Sequence, residues 1–327
     1  KNLCYIQIYR LASQSKWLED QTAVPGGGFK MLKTLRVLAT IVTARGLEYD
    51  EEAAVKYVWV AQFTSVPLDE IKSKSCGLAC DMLPEISSGA LVTTTGFPLQ
   101  LRAVVARWAT DECLLAFRGS KTVLNYLIDD FNARLLKPYA DCPSCKVHAG
   151  FYDGWKKVAG SVVEQLETLG CTDKPLRITG HSLGAALSTV AAFDLSRNYT
   201  LKHLYTLGSP RPGNKDFIKK AQERLANTSV FRITNYMDPI PHLPPAEVLG
   251  YDHLGPEIWY SANKLGSYHI CADGESLSCS NQFHVASCFI HGCDHCSYLG
   301  LNPCDINKSK PRCIEPGSVS SEASLLV

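Results

Sequence analysis

The sequence predicts an α/β fold built on a central, mostly parallel sheet with helices on its faces. Short β-prone segments alternate with helix-prone ones, the order that produces a doubly wound sheet. Gly180-His181-Ser182-Leu183-Gly184 reads G-x-S-x-G, between an apolar-alternating stretch (176–179) and an Ala/Leu-rich one (185–195), as a sharp strand-to-helix turn requires. The later β-prone segments 203–207 and 230–234 each run into a polar, proline-containing loop, 208–214 and 235–239. Loops after parallel strands are where such folds build their sites.

Taken in order, residues 1–30 are mixed and end at the break Pro25-Gly26-Gly27-Gly28. Residues 31–46 carry helical apolar spacing, and 50–63 predict a second helix with acidic residues in its first turn. Strands are expected over 92–94, 101–108 and 112–118, the last ending at Arg118-Gly119-Ser120. Residues 121–131 form a short amphipathic segment, and 151–169 read as a helix. Residues 260–313 are cysteine-dense and irregular, and the Ser-rich tail 316–327 is expected to fray.

The chain has 327 residues, of which 46% are hydrophobic and 20% charged, enough for a large buried core. A net charge of +1 gives no field for a polyanion, so nucleic acid is not an expected partner. No apolar run reaches the roughly 18 residues of a membrane span. Fourteen cysteines, an even number, predict up to seven disulfides that tie the cysteine-rich end to the body, and a secreted, extracellular, lumenal or vacuolar protein. Sequons at Asn198, Asn227 and Asn307 agree with that compartment. The chain is read as a mature form whose targeting segment has been removed. Cys142-Pro-Ser-Cys145 and the Cys288, His291, Cys293, Cys296 group resemble zinc or redox spacings, but disulfides are the simpler reading in so cysteine-rich a chain.

Ser182 is the expected nucleophile. In this chain order the acid comes next, from Asp194, Asp216, Asp238 or Asp252. Asp194 lies in the elbow helix and points away, and Asp216 starts a helix as a first-turn acid or cap. Asp238 follows the 230–234 strand, with Pro239 to lock its loop, and is the expected acid. The base is sought among His242, His253, His269, His284, His291 and His295. His242 is too close to Asp238; His295, just before Ser297-Tyr298-Leu299-Gly300, is the expected base and His291 the alternative. An oxyanion hole needs donors at the developing negative charge. The Leu183 N–H is one, and Ser120 is expected to supply another unless it simply caps the segment that follows.

These residues together resemble the class 3 lipases, the fungal-type triacylglycerol lipase family. The resemblance rests on segments in fixed order: Phe117-Arg118-Gly119-Ser120; Val147-His148-Ala149-Gly150-Phe151; Ile178 through Ala186; Tyr205 through Asn214; Asp238-Pro239-Ile240-Pro241-His242-Leu243-Pro244-Pro245; and Asp294-His295-Cys296-Ser297-Tyr298. It implies a single α/β-hydrolase domain over 1–327, of which 260–313, from its cysteine content, is the disulfide-bonded C-terminal part. The implied activity is carboxylic-ester hydrolysis, most directly of triacylglycerols, with phospholipase A1, a lid-less carboxylesterase or a non-catalytic lipid-binding member as alternatives. It also implies a lid over 121–131, in which Val123, Leu124, Tyr126, Leu127 and Ile128 would cover the site in water and turn to a lipid–water interface. An ordinary packed amphipathic helix is the alternative for that segment. No metal or organic cofactor is expected, because serine acyl transfer runs on the triad and oxyanion hole. The resemblance says little about the first hundred residues or about 260–313, where the cysteines exceed the fungal norm.

Overall fold

The computed structural model describes residues 48–73, 75–93, 101–120, 134–288 and 294–304, all within the unit Val42–Val327. The helix expected over 31–46, the whole 121–131 segment, His291, Asn307 and Cys4, Cys293 and Cys313 lie outside the described residues.

In chain order the strands are β1 (Ile86–Thr93), β2 (Arg102–Trp108), β3 (Glu112–Phe117), β4 (Leu135–Leu136), β5 (Val147–His148), β6 (Leu176–His181), β7 (Leu201–Leu207), β8 (Gly213–Asn214), β9 (Ser229–Asn235), β10 (Tyr251–Asp252), β11 (Glu257–Tyr260) and β12 (Tyr268–Cys271). Eight of them form one sheet in the order β1-β2-β3-β6-β7-β9-β11-β12, and β10-β8-β5-β4 form a small second sheet. The central run from β3 to β11 is parallel. Its flanks, β1-β2-β3 and β11-β12, are antiparallel.

The central strands are buried on both faces because helices cover both. On β3, Cys113, Leu115 and Phe117 pack into one core, while Leu114 and Ala116 pack into the other. The first core takes α4 (Ala149–Thr168), which buries Phe151, Trp155, Val158, Val162 and Leu166 at helical spacing. It also takes α5 (Leu183–Leu195), in which Asp194 alone among the thirteen residues is not buried. The second core takes α1 (Glu51–Phe63), whose N-cap Asp50 accepts from Ala53 N at 3.0 Å with Glu51 and Glu52 in the first turn.

Two sequence expectations need correction. Residues 260–313 are not wholly irregular: β11 and β12 make an antiparallel hairpin that extends the sheet. Their turn signal, Ser261 through Ser267, carries no short Asn-Gly type pair, and β12 is only four residues long. The cysteine-rich end is also not tied to the body by its described bridges. Cys271–Cys279 and Cys296–Cys304 each close a local loop with a separation of 8. Among the described bridges the long-range one is Cys113–Cys171, joining the start of β3 to the turn after α4. Cys142 bonds Cys145, and Cys76 bonds Cys80. Among the described residues no cluster of His, Cys, Asp or Glu could hold a metal ion. Within them, no helix is long and apolar enough to cross a membrane.

Candidate active site

The site is assembled at the carboxyl ends of four neighbouring strands. Strand β6 leads into Ser182, which is buried, with φ of 61° and ψ of −128°. An L-residue holds that left-handed conformation only when its surroundings over-determine it. They do so here by close backbone approach. A Cβ on Gly180 would lie 2.3 Å from Gly184 O, and one on Gly184 would lie 2.3 Å from Phe117 O. Glycine at both positions lets α5 start directly over β6 and against the end of β3. Ser182 N donates to Leu207 O at 2.9 Å, which stitches the turn to β7.

Asp238 follows β9. Its amide donates to Asn235 O at 2.9 Å, and its Oδ1 accepts from Ile240 N at 2.9 Å, an Asx-type closure of the loop. His295 lies in a helical turn over 294–296. Its Nδ1 is 2.9 Å from Asp238 Oδ2 and 3.0 Å from Oδ1, and its Nε2 is 2.8 Å from Ser182 Oγ. The carboxylate accepts the Nδ1 proton, so the Nε2 lone pair faces the serine hydroxyl. The structure therefore brings Ser182, Asp238 and His295 into one hydrogen-bonded row. Burial works against ionisation of Asp238 most strongly. The opposing charge of His295 and hydrogen bonds from His295, Tyr298 and the Ile240 N–H outweigh it and hold the carboxyl below the usual range.

Leu183 opens α5, so its N–H sits in the first helical turn, where amides have no carbonyl of their own helix to bond. Ser120 lies just past the end of β3. Its neighbour Gly119 packs on the elbow: a Cβ there would be 3.0 Å from His181 O and 3.4 Å from Ser182 Cβ. The segment 118–120 thus borders the serine, as an oxyanion donor must. Val123, Leu124, Tyr126, Leu127 and Ile128 lie outside the described residues.

The rejected candidates sit elsewhere. Asp194 accepts from Trp155 Nε1 at 2.8 Å. Asp216 is a first-turn acid of α6 (Lys215–Arg224), whose cap is Asn214. His242 Nε2 lies 3.6 Å from Cys288 Sγ, and His253 Nε2 donates to Pro241 O at 2.7 Å.

Residues not singled out from sequence complete the site. Tyr298 donates to Asp238 Oδ2 at 2.5 Å, and burial followed by the Asp238 charge raises its phenol well above its ordinary value, which keeps it a donor. His181 donates from Nε2 to His295 O at 2.8 Å and lies over the His295 ring at 4.5 Å. Burial, then the His295 charge, lowers it to about 3, so it stays neutral. Gly208, at φ of 56°, leaves room that a Cβ would take: 2.6 Å from Tyr298 Oη and 2.8 Å from Asp238 Oδ2. Asp294, next to His295, is raised to about 6 by burial and then by Asp238. The motifs around Gly208 and Tyr298 were visible in the sequence; their convergence on Asp238 was not.

Comparison with known proteins follows this geometry. Residues 114–248 match the family described as Lipase (class 3). A secreted mono- and diacylglycerol lipase 1 from Fusarium solani is 37% identical over 161 residues, 48% of this chain and 46% of the relative. A Rhizomucor miehei lipase in complex with its propeptide superposes with a TM-score of 0.62 at 26% identity, over 79% of this chain and 83% of that one. A triacylglycerol lipase whose catalytic centre is described as a serine protease triad superposes with a TM-score of 0.61 at 27% identity, over 79% of this chain and 98% of that one. The chain spans about half the length of the curated relatives it matches. With the fold of the fungal lipases and its residues 114–248 matching the class 3 lipase model, the chain is similar to the class 3, fungal-type lipases over that stretch.

Proposed function

We propose that this protein is a secreted serine ester hydrolase that cleaves acylglycerols at a lipid–water interface. The observation that carries the reading is the continuous row from Ser182 Oγ to His295 Nε2 and from His295 Nδ1 to Asp238, at 2.8 and 2.9 Å. Ser182 Oγ attacks the ester carbonyl while its proton passes to His295 Nε2. The C–O bond to the alcohol then breaks as His295 returns the proton to that oxygen, leaving an acyl-serine. Water, deprotonated by the same nitrogen, attacks the acyl-serine; the acyl–Oγ bond then breaks as His295 returns that proton to Ser182 Oγ, releasing the fatty acid. Asp238 fixes the imidazole tautomer and stabilises its charged form. The Leu183 N–H and Ser120 receive the oxyanion in both halves, a contribution on the order of 10²–10³ in rate for one such donor.

Relatives named as mono- and diacylglycerol lipases and as triacylglycerol lipases support acylglycerols as substrate. Secreted relatives and five disulfides among the described residues support an extracellular site of action. Val123, Leu124, Tyr126, Leu127 and Ile128, which lie outside the described residues, are proposed from the sequence alone as the apolar face that meets lipid. The test is hydrolysis rate against concentration of a sparingly soluble triacylglycerol through its solubility limit, with Ser182→Ala alongside. A jump in rate once emulsion forms, lost in the variant, is the expected result. Smooth saturation below the limit would point to an open-site esterase or a phospholipase. Undiminished turnover by Ser182→Ala would overturn the assignment.

A further inference from the structure

The loop after Asp238 reads Pro239-Ile240-Pro241-His242-Leu243-Pro244-Pro245. Its prolines carry no N–H, so the loop cannot form a regular ladder, and its buried carbonyls need donors from elsewhere. Two residues supply them. Pro241 O accepts from His253 Nε2 at 2.7 Å. His242 O and Pro244 O accept from Arg211 Nη1 at 2.6 and 3.0 Å. Leu243 O accepts from the Arg211 amide at 2.8 Å. Four successive carbonyls behind the acid are thus held by Arg211 and His253, both buried.

Arg211 is itself oriented by Glu275. Nε and Nη2 each meet one carboxylate oxygen at 2.8 Å, the two-pronged pairing that fixes a guanidinium plane. Asn281 Nδ2 braces the same carboxylate at 2.6 Å. Glu275 sits inside the loop closed by Cys271–Cys279. That loop also rests on the second donor: a Cβ on Gly274 would lie 2.5 Å from His253 O. Gly274 O in turn accepts from Arg232, which pairs with Glu257 at 2.9 Å. The disulfide loop therefore reaches both side chains that hold the acid loop.

We propose that Glu275, presented by the Cys271–Cys279 loop, is a positioning residue for Asp238, acting through Arg211 on the carbonyls of 242–244. The proposal rests on Asp238 being the triad acid. With the carboxylate gone, a buried guanidinium has lost its counter-charge and turns toward other acceptors. The acid loop then loses its anchor, and Asp238 drifts from His295 Nδ1. Ester binding makes no use of this contact, so the loss falls on kcat and not on KM.

The test is steady-state hydrolysis of a soluble ester by the full chain, with active sites counted by a serine-reactive phosphonate so that misfolded protein drops out of kcat. Glu275→Ala is expected to lower kcat per titrated site by about tenfold to a hundredfold, with KM held within about twofold. Arg211→Lys, which keeps the charge but cannot grip a carboxylate and two carbonyls together, is expected to lose as much. The double variant is expected to be no worse than the poorer single, because both act along one path. Cys271→Ser/Cys279→Ser, with Glu275 intact, is expected to fall in the same direction. If Glu275→Ala folds poorly, Asn281→Ala gives a milder loss of the same kind. Unchanged kcat per titrated site in Glu275→Ala, with only fewer titratable sites, would reduce Glu275 to a purely structural role and overturn the proposal. Additive losses in the double variant would overturn it too. A wild-type chain that neither titrates with the phosphonate nor hydrolyses ester would instead overturn the triad reading itself.

Discussion

Ser182 and Asp238 are held in place by opposite means. Ser182, the proposed nucleophile, is fixed by absence: two glycines let backbone meet backbone at distances no side chain tolerates, and α5 adds Ala185, Ala186 and Leu187, all buried. Asp238, the proposed acid, is fixed by polar groups from afar. Arg211 and His253 hold the proline-rich loop that follows it, Glu275 holds Arg211, and Tyr298 bonds Asp238 itself. Steric fixation is local, so it is rigid and fails all at once. Polar fixation is distributed, so it fails by degrees and answers to pH.

The contrast is sharpest at the elbow. Gly184→Ala drives a methyl group toward Phe117 O at 2.3 Å, against backbone that cannot move without disturbing β3. We expect a cost of about 3 kcal/mol or more and no recoverable activity. A stable, active Gly184→Ala enzyme, measured by chemical denaturation and ester turnover, would break the comparison.

Acid should then strain both arms together. His181 beside the serine is lowered to about 3 and His242 in the acid loop to about 4, both chiefly by burial. His253 is also held well below its ordinary value by burial. These stay neutral in the fold while the unfolded chain takes up protons below pH 6.5. Stability is therefore full above 6.5 and falls as pH drops, by about 1 kcal/mol per such histidine per pH unit. A melting temperature that stays flat from pH 6.5 to 5 would refute this.

Glu275 separates the arms again. Burial raises its pKa, but the hydrogen bonds from Arg211 and the positive charges around it prevail and bring it to about 2. A depressed carboxyl stabilises above its unfolded value near 4.5 and loses that contribution as pH falls toward 2. Glu275→Gln should cost about 2 kcal/mol at neutral pH, and the gap to wild type should close across that window. Parallel stability–pH curves for the two proteins would contradict it. Asn281→Ala, which removes one brace on Glu275, should have the smallest effect, about 0.5–1.5 kcal/mol in a denaturation midpoint series.

The same contrast explains what the sequence makes legible. The elbow, the parallel strands around it and the expected positions of Asp238 and His295 can be read because their signals are local: small residues at fixed spacing, and strands that end in proline-containing loops. The packing roles of Gly180 and Gly184 follow from the motif alone. The grip on the acid loop cannot be read that way. Arg211 and Glu275 are 64 positions apart, and nothing near Glu275 marks it as facing a guanidinium. The β11–β12 hairpin was missed because its strands are four residues each and lie among cysteines that suggest irregular chain. The C-terminal disulfides misled in a related way: an even cysteine count predicts bridges but not whether they are local or long-range.

Cys113–Cys171 makes a covalent ring of everything between β3 and the end of α4. That ring includes the segment 118–120 beside Ser182, all of 121–133 and α4 itself. A protease that cuts anywhere inside it releases no fragment, since the new ends remain on one molecule. Nicked and intact enzyme would migrate alike on a non-reducing gel and part only after the thiols are freed. A single cut in this stretch breaks one covalent path while the disulfide keeps both pieces on one molecule, with Ser182 still joined to the strand that serves it.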